Sequence, residues 1–197
     1  MADVLGKSLI AFSGPILYQL FVFCLNEGSI HEIDSFITLS RRILPILPQS
    51  HPHHPLSVLC LGFARFKRYM LSNQKEDLAK SIFHLTESTL LPPRSWLEHG
   101  PLVLHALFLL ARALVQRSKV SNQLEDAIYA AKYLPHLRDQ PHAAFGFPRH
   151  AITALLVDVL AFQVESEASD VVQCIEEIAL LCHELLTLDA IGKNLLR

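Results

Sequence analysis

Charge is scarce in this chain. Asp, Glu, Lys and Arg make up 18% of its 197 residues, where a soluble domain carries roughly a quarter. The net charge is −2, so the basic footprint that holds nucleic acid by its phosphates is missing. No stretch alternates with a period of two residues, which argues against a sheet. The four cysteines, Cys24, Cys60, Cys174 and Cys182, form no CxxC pair and lie in apolar stretches. That argues against a disulfide framework and predicts buried thiols packing as small hydrophobes in a reducing, cytoplasmic setting. Catalytic signatures are lacking too. No GxSxG, GxGxxG or Cys–His nucleophile pattern occurs. Gly6-Lys7-Ser8 ends like a phosphate loop, but position 1 is Met where that loop needs glycine. His183-Glu184 opens like a zinc-protease helix, but position 187 is Thr where the second His would stand.

What the chain has is apolar surface and a repeat. Hydrophobic residues make up 51% and the mean hydropathy is +0.31. Prolines at Pro15, Pro55, Pro101 and Pro148 each precede an apolar stretch, a short polar break and an amphipathic stretch. Pro45, Pro92 and Pro135 follow the first three amphipathic stretches. The starting prolines are 40, 46 and 47 residues apart, a period typical of stacked helical arrays. The expected fold is all-α: a right-handed α–α superhelix of about four antiparallel helix pairs, in units near 15–48, 55–93, 101–137 and 148–188.

The local signals are helical. Ser29-Ile30-His31-Glu32 reads as a capping box, followed by Ile30, Ile33, Ile37 and Leu44 at helical spacing. Leu56, Leu59, Phe63, Phe66 and Met70 form a stripe in the second unit, and Leu78, Ile82 and Leu85 form the next. Asn73 with Glu76, and Asn122 with Glu125, are weaker cap pairs. An offset of 46 maps Pro55 on Pro101, Leu78 on Leu124 and Ile82 on Ile128. In the last helix Val171, Cys174, Ile175, Ile178, Cys182 and Leu185 follow helical spacing. Second helices are expected near 30–44, 75–90, 121–134 and 169–187. The charges Lys75, Glu76, Asp77, Lys80, Glu125, Asp126, Glu176, Glu177 and Glu184 place these helices in an outer, solvated layer. The first helices form the more enclosed one.

The stretch HPHHPLSVLCLGFARFKRYMLSNQKEDLAKSIFHL resembles one unit of the divergent tetratricopeptide-like repeats of fungal proteins. The resemblance rests on His54-Pro55 (or His51-Pro52), on Arg65-Phe66 and on Asp77-Leu78-Ala79-Lys80-Ser81-Ile82. Glu125-Asp126-Ala127-Ile128 fits the same element in the third unit, and Glu176-Glu177-Ile178 fits it loosely in the fourth. The Gly-Asp type turn common in that family is absent after Met70. The resemblance implies a protein-interaction scaffold, of a kind that in fungi often precedes a protease-like CHAT domain. No such domain is visible here, so the chain reads as a fragment or a degenerate relative of a longer protein.

The expected function is therefore a non-enzymatic scaffold that binds a protein or peptide on a concave face, without cofactor or metal. The imidazoles of His51, His53 and His54 lie close in sequence, but no Cys or carboxylate nearby completes a metal site. Candidate partner-binding residues are Arg65, Arg68, Arg112 and Arg117, cations on first helices, with Phe145 and Phe147 in the longest linker. Guanidinium groups in a groove can hold carboxylates bidentately, although a solvated rim is the blander reading of these arginines. Residues 9–25 carry no formal charge, and their length falls at the lower limit for a membrane span of about 20 residues. Gly14-Pro15 and Gln19 interrupt that run, so an adaptor anchored through residues 9–25 is the first alternative to a soluble scaffold, and a catalytic helical domain, which would need polar residues converging in one pocket, is the second. Neither apolar terminus looks like a solubilising cap, so self-association through the array ends is expected. Far-UV circular dichroism is expected to show dominant helix; substantial strand content would overturn the fold.

Overall fold

The computed structural model describes residues 28–51, 53–90, 93–138, 149–166 and 172–183. All elements among these are helical: α1 (Ile30–Ile43), a 3₁₀ turn (Leu44–Ile46), α2 (His54–Ser72), α3 (Lys75–Thr89), α4 (Pro93–Ser121), α5 (Leu124–Arg138), α6 (Arg149–Glu165) and α7 (172–183). The chain divides into two compact units, Met1–Ala106 and Leu107–Arg197, with the division falling inside α4. Residues 9–25, Cys24, Phe145 and Phe147 lie outside the described residues. Among the described residues no helix is long and apolar enough to cross a membrane.

The start of α1 follows the capping box. The Ser29 amide donates to Glu32 Oε2 at 2.7 Å, and the Ser29 hydroxyl oxygen accepts from the Glu32 amide. Glu32 in the first turn and Arg41 and Arg42 in the last complement the helix dipole. The buried seam of α1 is Ile33, Phe36, Ile37 and Ser40, while Ile30 is 45% exposed. Ile33, Phe36 and Ile37 meet Cys60, Leu61 and Ala64 of α2 in one apolar cluster. On α2 Leu59 and Phe66 are buried, but Met70, placed in the same stripe by spacing, is 47% exposed. A first helix enclosed on most sides is nonetheless what α2 is, since eleven of its residues are buried.

The approach of α3 to α2 is set at Gly62. A Cβ built there would lie 3.0 Å from Leu85 Cγ and 3.2 Å from the Leu85 backbone nitrogen, so a side chain would force the helices apart. The Ser81 hydroxyl donates to the Gly62 carbonyl at 2.8 Å across the same contact. In the second unit the residues 49 positions on are Ala111, Ala130 and Leu134, all buried. There the methyl group stands on the first helix, and the second helix gives up the hydroxyl. α5 packs on α6. Its buried Ala127, Ala130, Leu134 and Leu137 recur at helical spacing. Lys119 Nζ of α4 lies 3.1 Å from Asp158 Oδ2 of α6.

Several expected boundaries move. Pro101 does not start a helix: α4 begins at Pro93 and runs through it. Pro93 takes the first helical position, where its missing N–H costs nothing. Pro135 does not close α5, which continues to Arg138. The burial of Leu134 and Leu137 on either side offsets the one hydrogen bond that a proline forfeits. Asn73 and Asn122 are not N-caps. They stand at the far ends of α2 and α4 in the left-handed region, with φ of 57° and 52°. Asparagine is among the few L residues that visit this region readily. The seam of α7 runs through Cys174 and Leu181, with Ile175 54% exposed and Cys182 at the surface rather than buried. Asp77 and Asp126, expected among solvated charges, are 2% and 8% exposed.

Replacing Gly62 by Ala sets a propensity gain of about 1 kcal/mol against an overpacking cost of about 1–3 kcal/mol. Because one clashing atom is backbone, overpacking wins. Gly62→Ala is expected to lower the urea midpoint, and a raised midpoint would show that this contact does not set the helix spacing.

Candidate functional site

The chemistry-bearing residues converge where each first helix turns into its second. In the α2–α3 hairpin, Arg68 of α2 donates from Nε to Asp77 Oδ2 of α3 at 2.7 Å and from Nη2 to Asp77 Oδ1. Its remaining nitrogen, Nη1, donates to Asp34 Oδ1 of α1 at 2.6 Å. One guanidinium thus ties three helices. Arg65, one turn earlier, donates from Nη1 to Asp77 Oδ1 at 3.2 Å, and both side chains are nearly inaccessible at 5% and 2%. The hydrogen bonds to Asp77 hold the Arg68 proton more tightly than usual. Burial acts in the opposite sense on Arg65, which draws less compensation.

The second hairpin repeats the clasp. Arg117 of α4 donates to Asp126 of α5 from Nε at 2.6 Å and from Nη2 at 2.7 Å, and these bonds raise its proton affinity. Arg117 and Asp126 lie 49 residues after Arg68 and Asp77. The agreement extends around the turn. The Ser72 hydroxyl donates to the Arg68 carbonyl and the Ser121 hydroxyl to the Arg117 carbonyl, at 2.8 and 2.6 Å. Left-handed Asn73 and Asn122 follow, and then Gln74 and Gln123 complete two-residue connections.

The sequence carries this signal openly. Ser72-Asn73-Gln74-Lys75-Glu76-Asp77 and Ser121-Asn122-Gln123-Leu124-Glu125-Asp126 differ at one place, each with Arg four residues before the Ser. The proline spacing imposes an offset of 46 and so hides it. That offset pairs buried Leu78 with half-buried Leu124 and buried Ile82 with Ile128, which is 39% exposed. At 49, Leu78 pairs with Ala127 and Leu85 with Leu134, all buried.

Three of the four candidate arginines therefore point at carboxylates of their own chain. Arg112 is exposed on α4, its guanidinium carbon 5.9 Å from the centre of the Phe108 ring. The histidine cluster is bound up locally. The His53 amide donates to His51 Nδ1 at 3.2 Å, and His54 Nδ1 lies 3.1 Å from the Leu47 carbonyl oxygen. Among the described residues no group of three or more His, Cys, Asp or Glu side chains is placed to hold a metal ion. A shallow, open groove of about 450 Å³ runs along one face of α1, lined by His31, Asp34, Ser35, Thr38, Leu39 and Arg42. Its two hydroxyls are turned to the backbone, Ser35 donating to the His31 carbonyl at 3.0 Å and Thr38 to the Asp34 carbonyl at 2.8 Å.

The chain matches no family model, no curated protein and no solved structure.

Removing one partner from a buried ion pair costs about 3–5 kcal/mol, whereas a half-exposed pair is worth about 1 kcal/mol or less. Asp77→Asn leaves two guanidiniums short of a carboxylate, one of them buried. Asp126→Asn leaves one, 36% exposed. Chemical unfolding is expected to show Asp77→Asn losing several times as much stability as Asp126→Asn; equal losses would refute the three-helix role of the first clasp.

Proposed function

We propose that the chain is a non-enzymatic interaction scaffold, a right-handed array of tetratricopeptide-like helix pairs that presents its surface to a protein or peptide. The observation that supports this reading is the duplicated clasp with its duplicated turn. The α2–α3 and α4–α5 pairs are each braced internally by an ion pair, a seryl hydroxyl and a left-handed Asn. Modules held by local contacts can keep their interior while their outward positions diverge, which is how repeat proteins change partners without changing fold.

The outward positions of the two second helices do diverge. Ala79, Lys80 and Phe83 on α3 stand where α5 has Ile128, Tyr129 and Lys132, and all six are exposed. The Phe83 ring is 65% exposed and the Tyr129 side of α5 carries a Tyr129–Tyr133 pair with ring centres 5.1 Å apart. Exposed aromatic residues on a rigid helix are the usual anchors of protein recognition. Among the arginines, Arg65 and Arg68 brace the first hairpin and Arg117 the second, and Arg112, with Phe145 and Phe147, is assigned to the partner. The setting assigned to it is cytoplasmic. The apolar side chains Val172, Ile175 and Leu180, 66%, 54% and 68% exposed on α7, favour self-association through that end.

Affinity purification with partner identification tests the scaffold, followed by direct titration of the purified partner. Phe83→Ala and Arg112→Ala are expected to weaken that binding at unchanged helix content. A partner indifferent to every exposed substitution on α3, α4 and α5 would overturn the assignment of the surface. Sedimentation of the isolated protein is expected to show concentration-dependent association, and a monomer across a wide concentration range would refute the role of the ends.

A further inference from the structure

The pairing of charges at the first clasp is uneven, and the unevenness lies beside a histidine. Asp77 is one carboxylate serving two guanidiniums, and Arg68 takes both of its oxygens. Arg65 donates a single bond to the shared oxygen, and its buried Nε has no hydrogen-bond partner. Arg41 of α1 and Arg68 of α2 both add to the positive potential at Arg65. His84 lies two turns along α3 from Asp77, next to Leu85, the residue that presses on Gly62. Its side chain is 16% exposed, and its buried Nδ1 has no hydrogen-bond partner either. Among the described residues the charges that face it are Arg65 from α2 and Glu87 from its own helix. Glu87 Oε2 stands 3.6 Å from Nδ1, beyond hydrogen-bonding distance, and the Phe83 ring packs edge-on at 5.3 Å.

We infer that His84 is an acid-sensitive latch on the α2–α3 hairpin: held neutral beside the under-compensated Arg65, it loosens the hairpin when it takes a proton. The added charge has nowhere good to go. It faces a buried guanidinium whose Nε is itself without a hydrogen-bond partner, with a single carboxylate, partly solvated and beyond hydrogen-bonding distance, to answer it. A buried charge without a matched partner is among the costliest things a core can hold. The second hairpin has no such device. The residue 49 positions after Arg65 is Leu114, and the residue 49 after His84 is Tyr133.

The sign follows from linkage. Burial first, and then the Arg65 cation, hold the His84 imidazole below its ordinary value of 6.5. The unfolded chain therefore binds more protons than the folded one as pH drops below 6.5. The contribution of neutral His84 is complete above that pH and is lost as pH falls toward the folded-state midpoint. For each pH unit between the two midpoints the unfolding constant rises about tenfold.

Urea unfolding of the full chain, followed by circular dichroism from about pH 8 to about pH 5, compares the wild type with His84→Gln. The wild type is expected to lose stability more steeply than the variant on acidification, with the two curves converging in slope above neutrality. Parallel curves would overturn the latch. If His84→Gln does not fold, the wild-type chain still decides the matter through the nuclear magnetic resonance titration of the His84 ring. A midpoint below 6.5 supports the latch, and one at or above 6.5 refutes it.

Discussion

The carboxylate of Asp77 is the constraint on which the first unit depends. It is 2% exposed, which an isolated carboxylate cannot sustain, and it is tolerated because two guanidiniums meet it. Once Arg68 is fixed there, its third nitrogen is aimed at α1, and Asp34 completes a tie between helices that are 34 residues apart in sequence. The apolar contacts around this tie can then be tight. Gly62 lets Leu85 approach, Ser81 finds the Gly62 carbonyl, and Ile33, Phe36 and Ile37 close over Cys60 and Leu61. Charge sets the register, and apolar burial supplies the bulk of the stabilisation.

The second hairpin shows what this tie adds, because it keeps the clasp and drops the elaboration. Arg117 holds Asp126 with the same two nitrogens, but Leu114 replaces Arg65, and among the described residues no second carboxylate meets Arg117 as Asp34 meets Arg68. One buried cation and one interhelical bond disappear together. Removing both members of an ionic set leaves no unpaired charge, so the simpler clasp is self-consistent. The richer clasp carries an orphaned Arg65 Nε and an orphaned His84 Nδ1, and these two atoms give the first hairpin a chemistry the second lacks.

Repetition also bears on how such a chain could be used. A turn that sets its own geometry through a seryl hydroxyl, a left-handed Asn and an ion pair needs little from the next unit. The outer faces of α3 and α5 are then free to differ, and they do, in both charge and aromatic character at two pairs of positions, Lys80 with Tyr129 and Phe83 with Lys132.

Helical content was legible from the sequence. The capping box at Ser29–Glu32, the charge placement in α1 and the enclosure of α2 all follow from local rules, because caps and periodicity act within a few residues. The boundaries at Pro101 and Pro135 were not legible, since a helix can run through a proline when burial on both sides outweighs one lost bond. The register of the repeat was present in the letters S-N-Q-x-E-D and was obscured by the prolines. The fate of the arginines was decided only in three dimensions. Nothing in the types of Arg65, Arg68 and Arg117 distinguishes a cation that waits for a partner from one that has found an Asp nine or twelve residues away. That choice depends on which helix face turns inward. The same step buried Asp77 and Asp126, which local pattern places in solvent, because a carboxylate can leave water only where the tertiary fold brings a guanidinium to meet it.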